Sequence, residues 1–358
     1  MRTLAVLAAG LLTLFPTPVM AQEATTVASG LDNPRGLAFT HDGTLYVAEA
    51  GRGGAGPCFP GPEGGDVCFG ASGAITKVSR GQQKRVVQGL SSIAAPNGTQ
   101  AMGPSDVAVV GGFPVFTVGL ATAPAKRDEL PGAGQNAGRL LLSAGGRVVR
   151  LADIAGYEGQ ADPDGAGAET NPNSVTLTSA GAAVADAAGN SLVKVAPNGT
   201  VSTLAVFPSQ MVDAPDFLGL PPGTKIPSQA VPTAVVQGPD GAYYVSQLTG
   251  FPFPVGRASV FRVVPGQAPT VHATGFTNVV DLAFDRDGTL YVLEIAHDGL
   301  LSGDMTGALI KVKRDGSHQI VTTALTGPGG LALRDGAAYV SDCGVCPGTG
   351  KVVRIALR

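Results

Sequence analysis

Short runs of alternating apolar and polar residues recur six times along the chain. Each begins with a proline or an equivalent residue, and an apolar alternating run starts a few positions later. The six segments cover residues 34–39, 104–109, 172–177, 232–237, 279–284 and 328–333. Strict alternation is typical of a half-buried β-strand, because successive side chains point to opposite faces of a sheet. The recurrence therefore predicts a repeat architecture built from strands.

Further apolar runs follow each of these segments. In the fifth repeat an Asp287-Gly288 turn leads into a second run at 290–293, and a third and fourth follow at 308–312 and 319–321. Asp-Gly between apolar runs predicts a hairpin, since the turn needs positive φ. The sixth repeat ends at Arg358 without a fourth run, which residues 25–31 at the other end of the chain can supply.

Six units of four strands predict an all-β fold. We expect a six-bladed β-propeller with four-stranded antiparallel blades, in which the N-terminal strand closes the last blade. An open β-solenoid and a pair of β-sandwiches are the alternatives. The propeller is expected to occupy residues 22–358 as a single domain and to be monomeric.

Composition agrees with this fold. Glycine and proline contribute 52 and 27 of the 358 residues, and both interrupt helices. Hydrophobic residues make up 44%, enough for a large core, which must be mainly aliphatic because tryptophan is absent. Helical bundles, doubly wound α/β folds and disorder are disfavoured. The net charge is −3 and no basic run occurs, so no nucleic-acid partner is expected.

Residues 1–21 have the parts of a secretory signal peptide. A short basic start with Arg2 precedes an apolar stretch at 4–15, and Val19-Met20-Ala21 forms a small-x-small cleavage site. A buried N-terminal helix is the alternative. No later run is long and apolar enough for a membrane span. The mature protein is therefore expected to be secreted or periplasmic.

Four cysteines are present, and export makes disulfides the default. We expect the local pairs Cys58–Cys68 and Cys343–Cys346. A redox-active Cys-x-x-Cys and a four-thiolate zinc site remain as alternatives.

The connections between predicted strands divide into two sets. Turns between first and second strands, and between third and fourth strands, are short. The other set, which a propeller places on its opposite face, contains every long insertion: 51–72, 91–103, 121–138, 155–171, 208–231, 250–257 and 297–307. Long loops on a rigid scaffold commonly carry function, so we expect ligand contact on this long-loop face. Capping of the core is the alternative role.

Carboxylates are predicted to surround the channel on that face. They are the candidate ligand-binding residues Glu49, Asp106, Asp186, Asp281, Glu294 and Asp342. Such a ring can hold Ca²⁺ or another divalent cation, and no other cofactor is expected. Asp106 and Asp281 recur in only two blades, so they are the candidate metal ligands. The structural alternative is that each carboxylate accepts backbone N–H groups at a strand end and ties blades together.

Two loop motifs give weaker signals. The segment Asp162-Pro163-Asp164-Gly165 has the beginning of a calcium loop but lacks the later ligands. The segment 251–254, Phe-Pro-Phe-Pro, is an apolar loop that either contacts a ligand or partner or packs against a neighbouring loop.

The sequence also resembles known families. Residues 185–195 look like the NHL-repeat consensus. Stretches 31–39, 45–54, 248–256 and 275–284, together with Cys58, resemble the ScyD/ScyE family, named after proteins of the scytonemin pigment cluster. The resemblance spans nearly the whole mature chain. It implies an exported, NHL-like propeller without an established reaction, and it supplies no catalytic residues.

Two functions from different classes follow from these observations. The leading hypothesis is an exported, non-catalytic propeller that binds a small molecule or an exported protein through its long-loop face. The alternative is a metal-dependent lactonase or hydrolase, similar to six-bladed lactonase propellers, with Glu49, Asp106, Asp281, Glu294 and Asn278 near the channel. A quinoprotein sugar dehydrogenase is disfavoured because a histidine base and a basic pocket are poorly supplied.

Overall fold

Six antiparallel sheets form a ring around a central channel, five of them with four strands and one with five, in a computed structural model that describes residues 24–62 and 64–357. The innermost strand of each sheet contacts the innermost strands of both neighbouring sheets, which closes the ring. The predicted six-bladed β-propeller is therefore confirmed. The predicted signal peptide, residues 1–21, lies outside the described residues.

The strands follow the predicted repeat, each blade running from the channel outwards. The chain begins with β1 (Ala24–Leu31). Blade 1 contains β2 (Pro34–Phe39), β3 (Leu45–Glu49), β4 (Cys58–Pro60), β5 (Asp66–Ser79) and β6 (Gln82–Ala94). Blade 2 contains β7 (Pro104–Val110), β8 (Phe113–Val118), β9 (Arg139–Ala144) and β10 (Arg147–Asp153). Helix α1 (Ile154–Ala161) follows, and blade 3 contains β11 (Pro172–Thr178), β12 (Gly181–Asp186), β13 (Ser191–Val195) and β14 (Val201–Val206).

The second half of the ring repeats this order after an inserted hairpin. The hairpin consists of β15 (Gln210–Asp213) and β16 (Lys225–Ser228). Blade 4 contains β17 (Pro232–Gln237), β18 (Tyr243–Gln247), β19 (Ala258–Val263) and β20 (Thr270–Phe276). Blade 5 contains β21 (Val279–Phe284), β22 (Leu290–Glu294), β23 (Thr306–Val312) and β24 (His318–Thr326). Blade 6 contains β25 (Gly330–Arg334), β26 (Ala337–Asp342) and β27 (Gly350–Ala356).

The N-terminal strand completes the last blade. β1 pairs antiparallel with β27 from Ala24 opposite Ile355 to Leu31 opposite Gly350. Ala28 and Leu31 are buried in the same apolar cluster as Leu37 of blade 1. One blade is thus built from both ends of the described chain, as the sequence predicts.

The core lies between neighbouring blades rather than in the channel. Side chains from the facing surfaces of blades 4 and 5, such as Tyr244, Val260, Leu282 and Val292, form one cluster. Because strand side chains alternate between faces, each blade contributes apolar residues to clusters on both of its sides. Blade 4 accordingly also packs Val235 and Val245 against blade 3.

Blade 1 differs from the predicted outline. Residues 51–72 are expected to form a loop, but β4 and the first half of β5 lie within them, and β5 pairs with a long β6. The pairing of β5 with β6 shifts register between Gly70 and Gly73. A Cβ atom at Gly70 would lie 2.1 Å from the Gly53 carbonyl oxygen, so only glycine permits this close backbone approach. Strands β5 and β6 are therefore longer than expected because backbone segments pack closely here, and the pattern of apolar residues in the sequence does not reveal such packing.

The two faces of the ring differ as predicted. On one face the connections have between two residues (80–81) and six residues (264–269). The other face carries α1, the β15–β16 hairpin and 3₁₀ turns such as Leu300–Ser302. The disulfides Cys58–Cys68 and Cys343–Cys346 also lie on this long-loop face, and the predicted local pairing is confirmed. In the described part of the chain, no helix has the length and apolar character needed to cross a membrane.

Candidate functional site

Four of the predicted ligand-binding carboxylates occupy the same place in their blades. Glu49, Asp186, Glu294 and Asp342 each end the second strand and are buried. Each accepts a backbone N–H from the segment that enters its own innermost strand. The distances are 2.8 Å from Asp32 N to Glu49, 2.6 Å from Asn171 N to Asp186, 2.7 Å from Thr277 N to Glu294 and 2.7 Å from Thr326 N to Asp342. These contacts fit the structural alternative, since they fasten the connections between blades. A role in ligand binding stays a prediction.

The charges of these four carboxylates are balanced differently. Arg85 pairs with Glu49 at 2.6 Å and also with Asp32 at 3.0 Å. Lys351 pairs with Asp342, and His297 contacts Glu294. Burial raises the pKa of Glu294, whereas its contact with His297 opposes this shift. Glu49 and Asp342 therefore form ion pairs with cationic side chains of their own blades.

Asp106 and Asp281, the candidate metal ligands, lie on the innermost strands of blades 2 and 5. Asp106 accepts hydrogen bonds from Val107 N at 2.7 Å, Ser174 Oγ at 2.7 Å and Val175 N at 2.9 Å. Asp281 likewise accepts from Leu282 N at 2.7 Å and from Leu331 N at 2.6 Å. Both carboxylates therefore connect their strand to the innermost strand of the next blade.

The two channel carboxylates interact electrostatically. Burial raises the pKa of Asp106 to about 6. Burial, followed by the charge of Asp106, raises the pKa of Asp281 well above its usual range. The innermost strands of blades 1 and 2 approach closely here, because a Cβ atom at Gly36 would lie 2.0 Å from Asp106 Oδ1. Hard divalent cations take six or more oxygen ligands. Asp106 and Asp281 offer two carboxylates, and both already accept hydrogen bonds.

Other side chains along the channel also join blades. Thr233 Oγ1 donates to Val279 O at 2.8 Å between blades 4 and 5, and Ser341 Oγ donates to Arg35 O at 2.6 Å between blades 6 and 1. Ser174 Oγ accepts from Val235 N at 3.1 Å between blades 3 and 4. These polar side chains thus form hydrogen bonds between neighbouring blades and stabilise the ring.

A cavity of about 430 Å³ lies away from the channel, between long loops of blades 3, 4 and 5. Its walls are the β15–β16 hairpin, the β18–β19 connection and the β22–β23 connection. The walls contact one another: Gln210 Nε2 donates to Arg257 O at 3.3 Å, and a Cβ atom at Gly299 would lie 2.8 Å from Val255 Cγ2. The lining includes Met211, Val212, Pro252, Val255, Arg257 and Leu301.

Apolar side chains are exposed around this cavity. The loops 208–231, 250–257 and 297–307 hold seven of the fourteen large hydrophobic residues exposed in the described part of the chain. Val255 is 61% exposed, Met211 57% and Leu301 50%. Phe251 packs edge-on against Phe217 with ring centroids 6.2 Å apart, yet it stays 42% exposed. The Phe-Pro-Phe-Pro segment therefore both packs against a neighbouring loop and borders the cavity.

Charged groups accompany this apolar surface. Asp213 and Lys225 form an ion pair at 2.5 Å across the β15–β16 hairpin. Arg257 and Asp298 also line the cavity, and among the described residues neither side chain has an ion-pair partner. The cavity thus combines apolar walls with charges that are free to meet a ligand, the usual composition of a small-molecule site.

Sequence reasoning missed two groups of residues. The cavity residues Met211, Val255 and Leu301 belong to loops whose meeting in space has no local signal. Glu158 was missed because it lies on α1, whose glycine-containing sequence Ile154-Ala-Gly-Tyr-Glu-Gly-Gln-Ala161 gives little helical signal. A search for acidic residues four positions before Asp162 could have found it, since such residues share a helix face.

Comparison with known proteins identifies the fold. No protein-family model and no curated protein sequence matches the chain. Among solved structures it is similar to a virginiamycin B lyase from Staphylococcus aureus, with TM-score 0.50, 11% identity, and coverage of 94% of this chain and 99% of that chain. The shared property is the propeller fold.

Two further solved structures support the same conclusion. A gluconolactonase from Xanthomonas campestris has TM-score 0.54 and 13% identity, covering 93% of this chain and 89% of that one. A glucose dehydrogenase has TM-score 0.51 and 13% identity, covering 94% of this chain and all of that one (100%). Identities this low carry no information on activity, because one fold hosts many functions.

Proposed function

We propose that this protein is an exported, non-catalytic propeller that binds an apolar small molecule with a charged end in the cavity between the loops of blades 3, 4 and 5. One observation carries this proposal: half of the exposed large hydrophobic residues of the described chain lie on the three loops that form one cavity, and Met211, Val255 and Leu301 among them line it. Exposed apolar side chains concentrated in one place are typical of binding sites, whereas scattered ones are not.

The size of the cavity favours a small molecule over a protein. Its volume of about 430 Å³ lies within the roughly 300–1,000 Å³ typical of small-molecule pockets. The walls are held by contacts between loops that are anchored on rigid strands, so much of the site exists before binding. Arg257 offers an unpaired guanidinium for an anionic end of the ligand, and Met211, Val255 and Leu301 offer apolar contact.

Two exposed valines of blade 4 allow a matched test. Val255 borders the cavity and is 61% exposed, and Val271 lies on β20 and is 56% exposed. We expect the fluorescent probe anilinonaphthalene sulfonate, an apolar anion, to bind the wild type and the Val271→Asp variant. Val255→Asp should weaken binding at least about tenfold, because it places a charge against the apolar body of the probe.

The readout is a fluorescence titration, with melting temperature and near-ultraviolet circular dichroism as controls for loosened packing. Equal binding by the two variants, or no binding by the wild type, would overturn the proposal. If the cavity bound another protein and not the probe, its occupant would be a macromolecule, and this result would also contradict the proposal.

The alternative of a metal-dependent hydrolase in the channel has less support. The oxygens of Asp106 and Asp281 accept five hydrogen bonds between them, and four of these come from backbone N–H groups. Similar propellers include a gluconolactonase, but only at 13% identity. The channel residues are therefore better explained as fasteners between blades.

The proposed place in the cell rests on two observations. Two disulfides are present, and disulfides persist mainly in exported proteins. The signal-like segment 1–21 precedes the propeller. We also propose membership of the ScyD/ScyE family, which rests on the sequence resemblance alone. Mass determination of the protein recovered from the medium or periplasm would test cleavage after Ala21.

A further inference from the structure

An acidic cluster lies where the connection between blades 2 and 3 packs against blade 3. Helix α1 ends at Ala161, its C-cap Asp162 has φ 38°, and the chain then turns back through Asp164. Carboxylate oxygens of Glu158, Asp162 and Asp164 lie within 4.8 Å of one another. Asp186 at the end of β12 adds a fourth negative charge whose field reaches Glu158.

Glu158 is the most informative member of the cluster. Glu158 is only 1% exposed, and its Oε1 atom has no hydrogen-bond partner in the described structure. The turn between β12 and β13 closes over it, because a Cβ atom at Gly189 would lie 2.8 Å from Glu158 Oε2. Burying an unpaired carboxylate costs several kcal/mol unless a proton or a cation neutralises it.

The surrounding chain supplies no such cation. Within residues 24–62 and 64–357, none of the four acidic side chains forms an ion pair with lysine, arginine or histidine. Burial, and then the charges of Asp186, Asp164 and Asp162, raise the pKa of Glu158 to about 8. In the absence of a metal ion a proton can therefore neutralise Glu158, and a bound divalent cation would displace that proton.

We propose that Glu158, Asp162 and Asp164 form a Ca²⁺ site that fastens the end of α1 to the turn between β12 and β13. Ca²⁺–oxygen distances are about 2.3–2.6 Å, so ligands on opposite sides of one ion lie about 5 Å apart. The three carboxylates satisfy this limit. The Asp162-Pro-Asp164-Gly165 motif lacks downstream ligands, and the fold brings Glu158 from upstream to complete the set.

The donor set selects among ions. All three ligands are carboxylate oxygens, whereas structural zinc prefers nitrogen and sulfur. Mg²⁺ demands near-octahedral geometry, but Ca²⁺ accepts irregular sets of carboxylates and water. Asp162 and Asp164 are partly exposed, which leaves room for water to complete the coordination shell.

The test is calcium binding to the mature protein, measured by calorimetry and by melting temperature after chelation and after Ca²⁺ addition. We expect a dissociation constant below about 1 mM, as in extracellular calcium modules. Glu158→Gln and Asp162→Asn should weaken binding at least about tenfold. Glu169→Gln is the matched control, because it removes one exposed negative charge from the same loop.

The behaviour of Glu158→Gln without calcium separates loss of the site from misfolding. After chelation this variant should melt no lower than the wild type, because glutamine has nearly the same shape as the glutamic acid side chain and places no charge in the buried cluster. Two results would overturn the proposal. The first is that the wild type shows neither binding heat nor a rise in melting temperature in millimolar Ca²⁺. The second is that the wild type and Glu158→Gln bind Ca²⁺ with equal affinity. Equal or tighter binding of Mg²⁺ would overturn the assignment of the ion.

Discussion

Leu31 provides a direct test of how the ring is closed. Its side chain is fully buried at the end of β1 and belongs to a cluster with Leu37, Leu45, Val47 and Val352. Leu31 thus joins the N-terminal strand to both blade 1 and blade 6. Leu31→Ala removes three carbon atoms, which corresponds to about 2.4 kcal/mol of lost burial at roughly 0.8 kcal/mol per carbon. The residual cavity adds about 1–2 kcal/mol, so we expect a loss of about 3.5–4.5 kcal/mol.

The assay is urea unfolding of the mature protein, followed by circular dichroism. Thr26→Ala on the same strand is the control, because Thr26 is exposed and its loss should change stability by only about 0.5 kcal/mol. Amide hydrogen exchange in β27 should become faster in Leu31→Ala, since β1 covers that strand. A loss below about 1 kcal/mol, or no larger than that of Thr26→Ala, would refute the conclusion that β1 closes the ring.

Three further predictions concern the channel and its surroundings. Gly36→Ala should destabilise the protein by about 1–3 kcal/mol, because its Cβ would overlap Asp106. Gly159→Ala inside α1 should stabilise the protein by up to about 1 kcal/mol, because alanine favours a helix more than glycine does. Urea unfolding of both variants checks these expectations. The Asp106 pKa of about 6 exceeds the unfolded value of about 3.9, so between these values the folded state holds a proton that the unfolded chain has released. The free energy of unfolding of the wild type relative to Asp106→Asn should therefore fall by about 2–3 kcal/mol between pH 4 and pH 7, and a difference independent of pH would contradict this assignment. Arg85→Met should cost about 2 kcal/mol, because it leaves Glu49 buried without its cation, and adding Glu49→Gln should recover part of that loss in the same unfolding assay.

The propeller could be predicted because its signals are local. Alternating runs such as 290–293 and Asp-Gly turns such as Asp287-Gly288 specify strands and hairpins without reference to distant residues. Repetition then implies the ring, since each blade can bury its two apolar faces only against neighbouring blades. The closing strand at 25–31 follows from counting strands in the sixth repeat. The local disulfides were predictable from export and from the short spacing within each cysteine pair.

Only the tertiary structure decided what surrounds each functional candidate. The sequence places Asp106 at the channel, but the strand of the next blade supplies the donors Ser174 and Val175. The cavity forms where Met211, Val255 and Leu301 meet, and these residues are separated by tens of positions in the chain. Glu158 becomes a buried carboxyl group with an unpartnered oxygen only because the turn at Gly189 closes over it. Strand formation depends on neighbours in sequence, whereas burial and charge pairing depend on neighbours in space.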